Sequence, residues 1–329
     1  MRRILLCALV AGLAQHAAAD DASRPPAPPI AWQDPQPFAR LFLQLPFESP
    51  EVVAPGQFGL DTRVLYSNSI DAERAGGLSV SVNLETAEPL IVLRYGIHPG
   101  IEVVLAAPGL MDYAGFLARP IKIVESWFDT SNPLRMGAPP RDAHFRLVDP
   151  AGHGIDWVGT VNGSPGDVWA GVKVRVSEQS GRSPSVAVRA AVKFPTARIP
   201  FGSGEADLGA GLLAGWDWGA TALRAEMDVY VPTATFGPLR VHTRPYGAAQ
   251  LGLARRLGFA TLHLQASAHL SAIADTGLDS IEGISQYLLA GATFDLGRHA
   301  SADLAVIENI LSPNHGADIS GTLGLAARF

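Results

Sequence analysis

A stripe of histidines and serines on one predicted strand is the part of the chain whose residue types could do chemistry. The stripe lies on one face of residues 258–273 and comprises His263, Gln265, Ser267, His269 and Ser271. Serine and histidine can act as nucleophile and base when a third group orients them, and Asp228 or Asn83 could take that part. A lipid hydrolase would need this pair on a lipid-facing side, where no serine-rich pattern occurs. We therefore predict no enzymatic activity, no metal site and no cofactor.

Charged side chains at alternate positions of several segments predict a polar interior. Acids and bases that face each other inside a narrow barrel would either pair and fill it, or line a path for small solutes with weak charge selectivity. Both alternatives stay open at this point. The candidate lumen-lining residues are Arg63, Glu85, Arg94, Lys173, Arg175, Arg189, Lys193, Arg224, Glu226, Asp228, His263 and His269.

The last stretch of the chain, residues 318–329, shows what kind of element positions these side chains. Leu323 and Leu325 alternate with small or polar residues, which is the period of a strand whose two faces meet different surroundings. The strand ends on Phe329, an apolar terminus that suits a membrane better than water. We predict an all-β fold, a transmembrane antiparallel up-and-down β-barrel. We also expect the barrel-assembly machinery to recognise the strand that ends at Phe329.

The other alternating segments bring the count to about 12 strands. Short turns such as 98–100 and 217–219 alternate with longer connections, as short periplasmic turns and external loops do in outer-membrane barrels. An even count puts both termini in the periplasm. One irregularity is expected: the apolar side changes parity near residues 86–89, which predicts a β-bulge there.

The first 55 residues do not alternate. Residues 1–19 have the parts of a secretory signal: two arginines, an apolar core and small residues, with cleavage predicted near Ala19. Residues 20–55 are rich in proline, and we expect a periplasmic segment, extended or disordered up to Pro37. Its apolar part, residues 38–55, is expected to pack into the periplasmic mouth of the barrel. The alternative is a plug that gates the barrel.

Residues 108–165 form the longest predicted external loop of the barrel domain, which covers residues 56–329. Within the loop, residues 120–128 begin with a proline that suits a first helical turn, so a short helix is predicted there. Long loops in compact proteins tend to be functional or disordered. This loop is therefore a second place where function could lie, although its role stays open.

Composition sets further limits. The net charge of −6 includes Arg2 and Arg3, so removal of the leader gives −8, which argues against nucleic acid as a partner. The single cysteine, Cys7, lies in the predicted leader, which excludes thiolate catalysis and disulfides from the mature chain. No apolar run beyond the leader reaches the roughly 18 residues of a spanning helix.

Several stretches of the chain resemble proteobacterial outer-membrane proteins of domain-of-unknown-function family 3187. The resemblance covers most of the mature chain and includes Gln44–Gln57, Leu93–Ile97, Gly166–Val168, Lys193–Thr196 with Gly202–Asp207, and Ser312–Asn314. It implies the fold and an outer-membrane location. It assigns no activity and no site residues.

Three functions are consistent with the sequence. The first is a narrow channel or transport port for small solutes. The second is a structural or surface-interaction barrel with a packed lumen, which would contact outer-membrane lipid and lipopolysaccharide. Lipid hydrolysis is a distant third. The sequence does not identify a transported solute or an oligomeric state.

Overall fold

The computed structural model describes residues 25–117, 123, 143–309 and 315–329, and its main element is a closed antiparallel β-barrel. Closure is made by the first and last strands, in which Gly59 pairs with Arg328 and Asn68 with Ile319. The amide of Phe58 donates to the carbonyl of Phe329 at 2.7 Å. The predicted signal, residues 1–19, the predicted helix at 120–128 apart from residue 123, and Ser312–Asn314 lie outside the described residues.

Fifteen strands form one sheet, and twelve of them close the ring in the order β1, β2, β3, β7 to β15 and back to β1. This confirms the predicted all-β barrel and its strand count. The strands are β1 Phe58–Ala75, β2 Leu78–His98, β3 Ile101–Tyr113, β4 Ala143–Val148, β5 Gly154–Gly159, β6 Val161–Pro165, β7 Trp169–Ser177, β8 Ser185–Lys193, β9 Asp207–Trp218, β10 Thr221–Pro232, β11 Tyr246–Leu257, β12 Ala260–His269, β13 Ser285–Asp295, β14 Ala300–Glu308 and β15 Ile319–Arg328.

The two ends of the barrel differ. At the end where Phe58 meets Phe329, called the terminal end, the connections are short, as at residues 219–220 and 258–259. The opposite end, called the loop end, carries longer connections and a one-turn helix at Asp279–Glu282. Among the described residues, no helix is both long and apolar enough to cross a bilayer.

The outer face of the wall is apolar and the inner face polar, which follows from the period of two. On β15, Leu323 and Leu325 are 61% and 54% exposed, whereas Ser320 and Thr322 point inward and are buried. Leucine and valine on the outside would be unfavourable in water and favourable against lipid tails. The same alternation places the predicted interior charges on the inner face.

Where it is described, the predicted loop 108–165 consists mainly of strands. The β4–β5 hairpin continues the wall beyond the ring by pairing with β2, from Ser79 opposite Val148 to Asn83 opposite His144. In the same way β6 pairs with the upper part of β3. The wall is therefore taller on this side of the barrel.

The bulge predicted near residues 86–89 is absent, and β1 pairs with β2 without a shift from Phe58 opposite Tyr95 to Ala75 opposite Leu78. The apolar residues move from the outer to the inner face of β2 because the surroundings of the two faces change along the strand. Beyond the apolar band, the inner face of β2 enters an apolar cluster with Val80 and Val82, so the outer face becomes the polar one.

Residues 25–57, called the lumenal segment, run inside the barrel rather than beside it, which corrects the expected periplasmic tail. The amide of Ala27 donates to Thr261 Oγ1 near the terminal end. The chain rises to the loop end, turns at a short 3-10 helix, Ala39–Leu41, and descends again to Gly56, whose amide donates to the carbonyl of Gly96.

Candidate functional site: the charged lumen and the segment that fills it

Apart from its short 3-10 helix, the lumenal segment is extended, which its many prolines favour. Its prolines lack amide donors and restrict φ, so fewer buried backbone groups need partners and less entropy is lost on ordering. Side chains of the segment itself and of the wall accept hydrogen bonds from several of the other amides. The amide of Leu43 donates to Asp207 Oδ2 at 2.7 Å, and the amide of Val53 donates to Glu102 Oε2 at 2.6 Å.

Glycines on the wall leave room for the side chains of the lumenal segment. An ideal Cβ at Gly252 would lie 2.8 Å from Phe47 Cε1, and one at Gly215 would lie 2.9 Å from Pro50 Cγ. Any larger residue would collide with the segment at these positions. The inner surface is therefore shaped to hold this particular chain.

Glu48 of the lumenal segment is the centre of the interior charge network. Its carboxylate lies 2.7 Å from Arg94 Nη1, 3.1 Å from Lys173 Nζ and 2.8 Å from Arg189 Nη1. Burial raises the pKa of a carboxyl, but these three positive charges outweigh burial and hold the pKa of Glu48 well below its usual range. Glu48 is therefore an anion at any moderate pH, and it links three strands of the wall.

Arg189 of β8 extends the network across β9 to β10. Its Nη2 lies 2.6 Å from Glu226 Oε1 and 2.7 Å from Asp228 Oδ2, and its Nη1 donates to the carbonyl of Pro46 at 2.9 Å. Glu102 completes the other side, 3.1 Å from Arg94 and 3.0 Å from Lys173. Every base at this level thus has both a wall partner and a partner on the lumenal segment.

Two more basic residues fix the part of the lumenal segment that lies nearest the loop end. Lys193 Nζ lies between Asp167 and Asp207, at 2.9 and 3.0 Å, and donates to the carbonyl of Leu41. At the apex, Arg40 Nη2 lies 2.7 Å from Asp112 Oδ2, and its Nη1 donates to Thr86 Oγ1 at 2.7 Å. These contacts fix the turn of the segment to β2, β3 and β8.

An apolar cluster closes the loop end above the charges. Phe38 of the segment packs on Phe145 of β4, with ring centroids 4.7 Å apart, and Phe42 packs edge-on against Phe236 at 5.5 Å. All four rings are buried. The segment and these rings fill the loop end, and two cavities beside them measure about 40 and about 10 Å³. The lumen is therefore closed in this conformation.

The structure places most of the predicted interior residues on the inner face. These are Arg63, Arg94, Lys173, Arg189, Lys193, Arg224, Glu226, Asp228, His263 and His269. Whether they line a solute path is a separate prediction. Arg175 lies at the terminal-end mouth, 29% exposed, with Glu178 at 2.6 Å.

Glu85 is placed on the outer face, which corrects its expected position. It accepts hydrogen bonds from the Tyr66 hydroxyl and from the amides of Phe116 and Leu117, at 3.0 and 2.6 Å. Because β2 has no bulge, Glu85 lies on the same face of the strand as the lipid-facing Ile91, six residues further on. Its role here is to fix the start of the connection that follows β3.

The serine–histidine stripe forms no catalytic pair in the described structure. His263 Nε2 hydrogen-bonds to Thr293 Oγ1 at 2.9 Å, and His269 packs edge-on against Trp32 of the segment at 5.7 Å. Ser267 Oγ has no hydrogen-bond partner among the described residues. Nor do the described ranges contain a group of three His, Cys, Asp or Glu side chains that could hold a metal ion.

The sequence-based reasoning missed Arg40 and Glu48, two charged residues through which the segment contacts the charged side chains of the wall. Both lie among apolar residues and prolines, where a charge is expensive to bury unless it is paired. Two features of the sequence could have indicated these residues: isolated charges among apolar residues and prolines, and an excess of bases on β7 and β8 that need acidic partners.

Comparison with known proteins supports the fold. No family model and no curated protein sequence matches the chain. The crystal structure of an outer-membrane channel from Pseudomonas putida F1 superposes with a TM-score of 0.54 and 12% identity, over 85% of this chain and 97% of that chain. Lower TM-scores come from the transport unit of the autotransporter AIDA-I from Escherichia coli, at 0.40 with 10% identity over 83% and 90% of the chains. A FadL homologue from Pseudomonas aeruginosa gives 0.36, at 10% identity over 89% and 92%.

The architecture and the first of these likenesses define the class of protein: a twelve-stranded β-barrel of the outer-membrane type, porin-like in its wall. The particular feature of this chain is a lumen filled by its own N-terminal segment. The resemblance to family 3187 stays a prediction.

Proposed function

We propose that the protein is a plugged outer-membrane port for small solutes, in which the lumenal segment closes the path and must move for solutes to pass. The observation that carries this proposal is how the segment is held. Apolar contacts hold it at the loop end, but around Glu48 it is attached by ion pairs and hydrogen bonds to a part of the wall that stays polar without it. If the segment left, Arg94, Lys173 and Arg189 would face water rather than a dry core.

The barrel size also supports a port. Eight-stranded barrels are filled by their own wall side chains, whereas barrels of 16 or more strands hold an aqueous channel. Twelve strands leave an intermediate lumen, and here an added chain of 33 residues, 25–57, is needed to fill it. A barrel required only as a scaffold would not need that chain. In this proposal the terminal end faces the periplasm, after cleavage of a signal near Ala19.

A structural barrel with a packed lumen is the second candidate. The number of buried ion pairs favours it, because breaking one buried pair by removing a partner costs about 3–5 kcal/mol. In that case the segment would be a permanent part of the core, and the loop end would be the working surface, in contact with lipopolysaccharide.

Single-channel conductance in planar bilayers separates the two candidates. The full chain is compared with a chain that lacks residues 25–55, each checked for a folded barrel by its resistance to protease. The port predicts brief or rare openings for the full chain and long, ion-conducting steps after deletion. A deletion chain that forms a folded barrel but stays silent would falsify the port and favour the packed lumen.

A further inference from the structure

The guanidinium of Arg40 lies in a site that the barrel wall builds around a cation. Its Nη2 lies 2.7 Å from Asp112 Oδ2 on β3, and its Nη1 donates to Thr86 Oγ1 on β2 at 2.7 Å. Its Cζ lies over the Phe145 ring of β4, 5.8 Å from the centroid, which is a cation–π contact. Glu88 of β2 supplies a second carboxylate, 3.7 Å from Nη1. We call Thr86, Glu88, Asp112 and Phe145 the guanidinium site.

The wall holds this site in shape through contacts of its own. Thr86 and Asp112 are opposite each other in the β2–β3 ladder, and Thr86 Oγ1 donates to Asp112 Oδ1 at 2.8 Å. The hydroxyl is thereby oriented to accept from the guanidinium. All four side chains of the site are buried, and buried carboxylates need a paired cation. The wall therefore requires a cation at this position.

That cation comes from the lumenal segment and not from the wall. Among the described residues, Arg40 is the only base that forms an ion pair with Glu88 or Asp112. In the middle of the barrel, by contrast, the wall bases also have wall acids, as Arg189 has Glu226. Withdrawal of the segment would leave the middle network paired within the wall. It would leave two acids of the guanidinium site without a cation.

Arg40 satisfies this site incompletely. Neither Glu88 Oε1 nor Arg40 Nε has a hydrogen-bond partner among the described residues. The 3.7 Å between Glu88 Oε1 and Arg40 Nη1 exceeds hydrogen-bond distance. Both residues line the cavity of about 40 Å³, and the backbone of Arg40 is fixed in the 3-10 helix. A guanidinium free of that backbone has room to shift toward Glu88.

We propose that the guanidinium site binds a small solute with a guanidinium group, which takes the place of Arg40 when the lumenal segment moves. The planar guanidinium presents several N–H donors in a fixed fork, so one group can reach both carboxylates and the hydroxyl. A solute that binds only the undocked state increases the population of that state. The inference rests on the proposed port and adds to it a substrate class and a means by which the solute itself releases the segment.

The test uses the full chain and ethylguanidinium, which reproduces an arginine side chain beyond its Cβ. Chymotrypsin cleavage after Phe42, which is buried while the segment is docked, measures undocking. While the undocked state is rare, the ethylguanidinium concentration that doubles the cleavage rate equals its Kd, and about ten times that concentration should raise the rate about tenfold. The frequency of openings in planar bilayers should double at the same concentration.

Two related compounds test the chemistry of recognition. Ethylurea has a similar shape but no charge, so it should change neither cleavage nor openings. Ethylammonium has the charge without the planar fork, and we expect it to need about tenfold higher concentration.

Variants place the effect at the guanidinium site. Glu88→Gln removes one acid, and the concentration of ethylguanidinium that doubles cleavage should rise about tenfold. Asp156→Asn is the control, because this acid of β5 is 39% exposed and outside the site, and it should leave that concentration unchanged. If Glu88→Gln forms no folded barrel, Thr86→Val removes the hydroxyl that Arg40 contacts and carries the same expectation.

Wild-type cleavage that ethylguanidinium does not change would overturn the guanidinium site. So would equal effects of ethylguanidinium and ethylurea, or an unchanged doubling concentration in the site variant. Any of these results leaves the port itself standing if deletion of residues 25–55 produces conducting steps. A silent deletion chain would instead remove the proposed function on which the guanidinium site rests.

Discussion

Arg189 of β8 and Glu48 of the lumenal segment form a direct ion pair, with Nη1 and Oε1 separated by 2.8 Å in the middle of the barrel. The same guanidinium holds Glu226 and Asp228 of the wall, so the segment shares a cation that the wall already needs. An anion that completes such a network can be withdrawn without leaving every base unpaired. In the proposed port, this arrangement would hold the segment specifically and still let it be released.

Replacement of Glu48 should loosen the segment. Glu48→Gln removes a charge that three bases share, while the wall acids stay in place, so we expect a loss of about 1–3 kcal/mol in segment docking. Trypsin cleavage after Arg40, which is buried while the segment is docked, should then rise roughly five- to 150-fold. Glu51→Gln is the matched control, because Glu51 is 39% exposed and 3.7 Å from Arg224. Equal cleavage in the two variants would contradict the central role of Glu48.

The docking of the segment should resist moderate acid. Because the pKa of Glu48 in the folded protein is depressed, its contribution is fully present above the unfolded value near 4.5 and is lost only as the pH falls through the lower folded value. Cleavage within residues 25–57, assayed with an acid-active protease that cuts at apolar residues such as Leu41 and Phe42, should stay low at pH 4.5 and rise below it. Glu48→Gln should remove this rise. A rise centred at or above pH 4.5 in the wild type would argue against the network.

A methyl group on the inner wall should also displace the segment. Gly252→Ala puts a Cβ 2.8 Å from Phe47 Cε1, closer than van der Waals contact allows, and overpacking of this kind costs about 1–3 kcal/mol. Gly321→Ala is the control, since the nearest atom to its Cβ would be 3.6 Å away. Conductance records should show more frequent openings for the first variant only. Unchanged openings in both would mean that Phe47 does not restrict the path.

Buried and exposed ion pairs should differ in their effect on stability. Lys193→Met leaves Asp167 and Asp207 without their shared cation, and about 3–5 kcal/mol should be lost. Arg146→Met breaks a pair with Asp156 in which both side chains are about 40% exposed, and the expected loss is within about 1 kcal/mol. Urea unfolding in detergent, followed by intrinsic fluorescence, measures both. Similar midpoints for the two variants would contradict the assignment of Lys193 as a buried anchor.

The wall of the barrel was predictable because its signal is local. On β15, for example, lipid and lumen impose opposite polarity on Leu323 and Thr322, and the pattern repeats on every ring strand. The same reasoning failed for β2. Beyond the lipid-facing band, the apolar residues of this strand lie on its inner face instead of its outer face, and that change was interpreted as a bulge. A period of two shows that the two faces of a strand differ in polarity. It does not show which face points into the barrel and which points outward.

The position of the lumenal segment could not be predicted in the same way. Its contacts join residues such as Leu45 and Tyr230, which are far apart in sequence, and an extended proline-rich chain has no periodicity to mark a buried side. The interior charges were predicted on the wall, but their partners Arg40 and Glu48 were not, because pairing across 46 to 141 residues leaves no local pattern.

The most direct test of the account is to lock the segment in place reversibly. Pro50 and Gly215 are in contact, so Pro50→Cys with Gly215→Cys should form a disulfide between the segment and β9. Single-channel records of this variant should be silent when it is oxidised and show ion-conducting steps when dithiothreitol is added. Steps that persist unchanged in the oxidised protein, or silence in both states, would contradict the claim that movement of residues 25–57 opens the barrel.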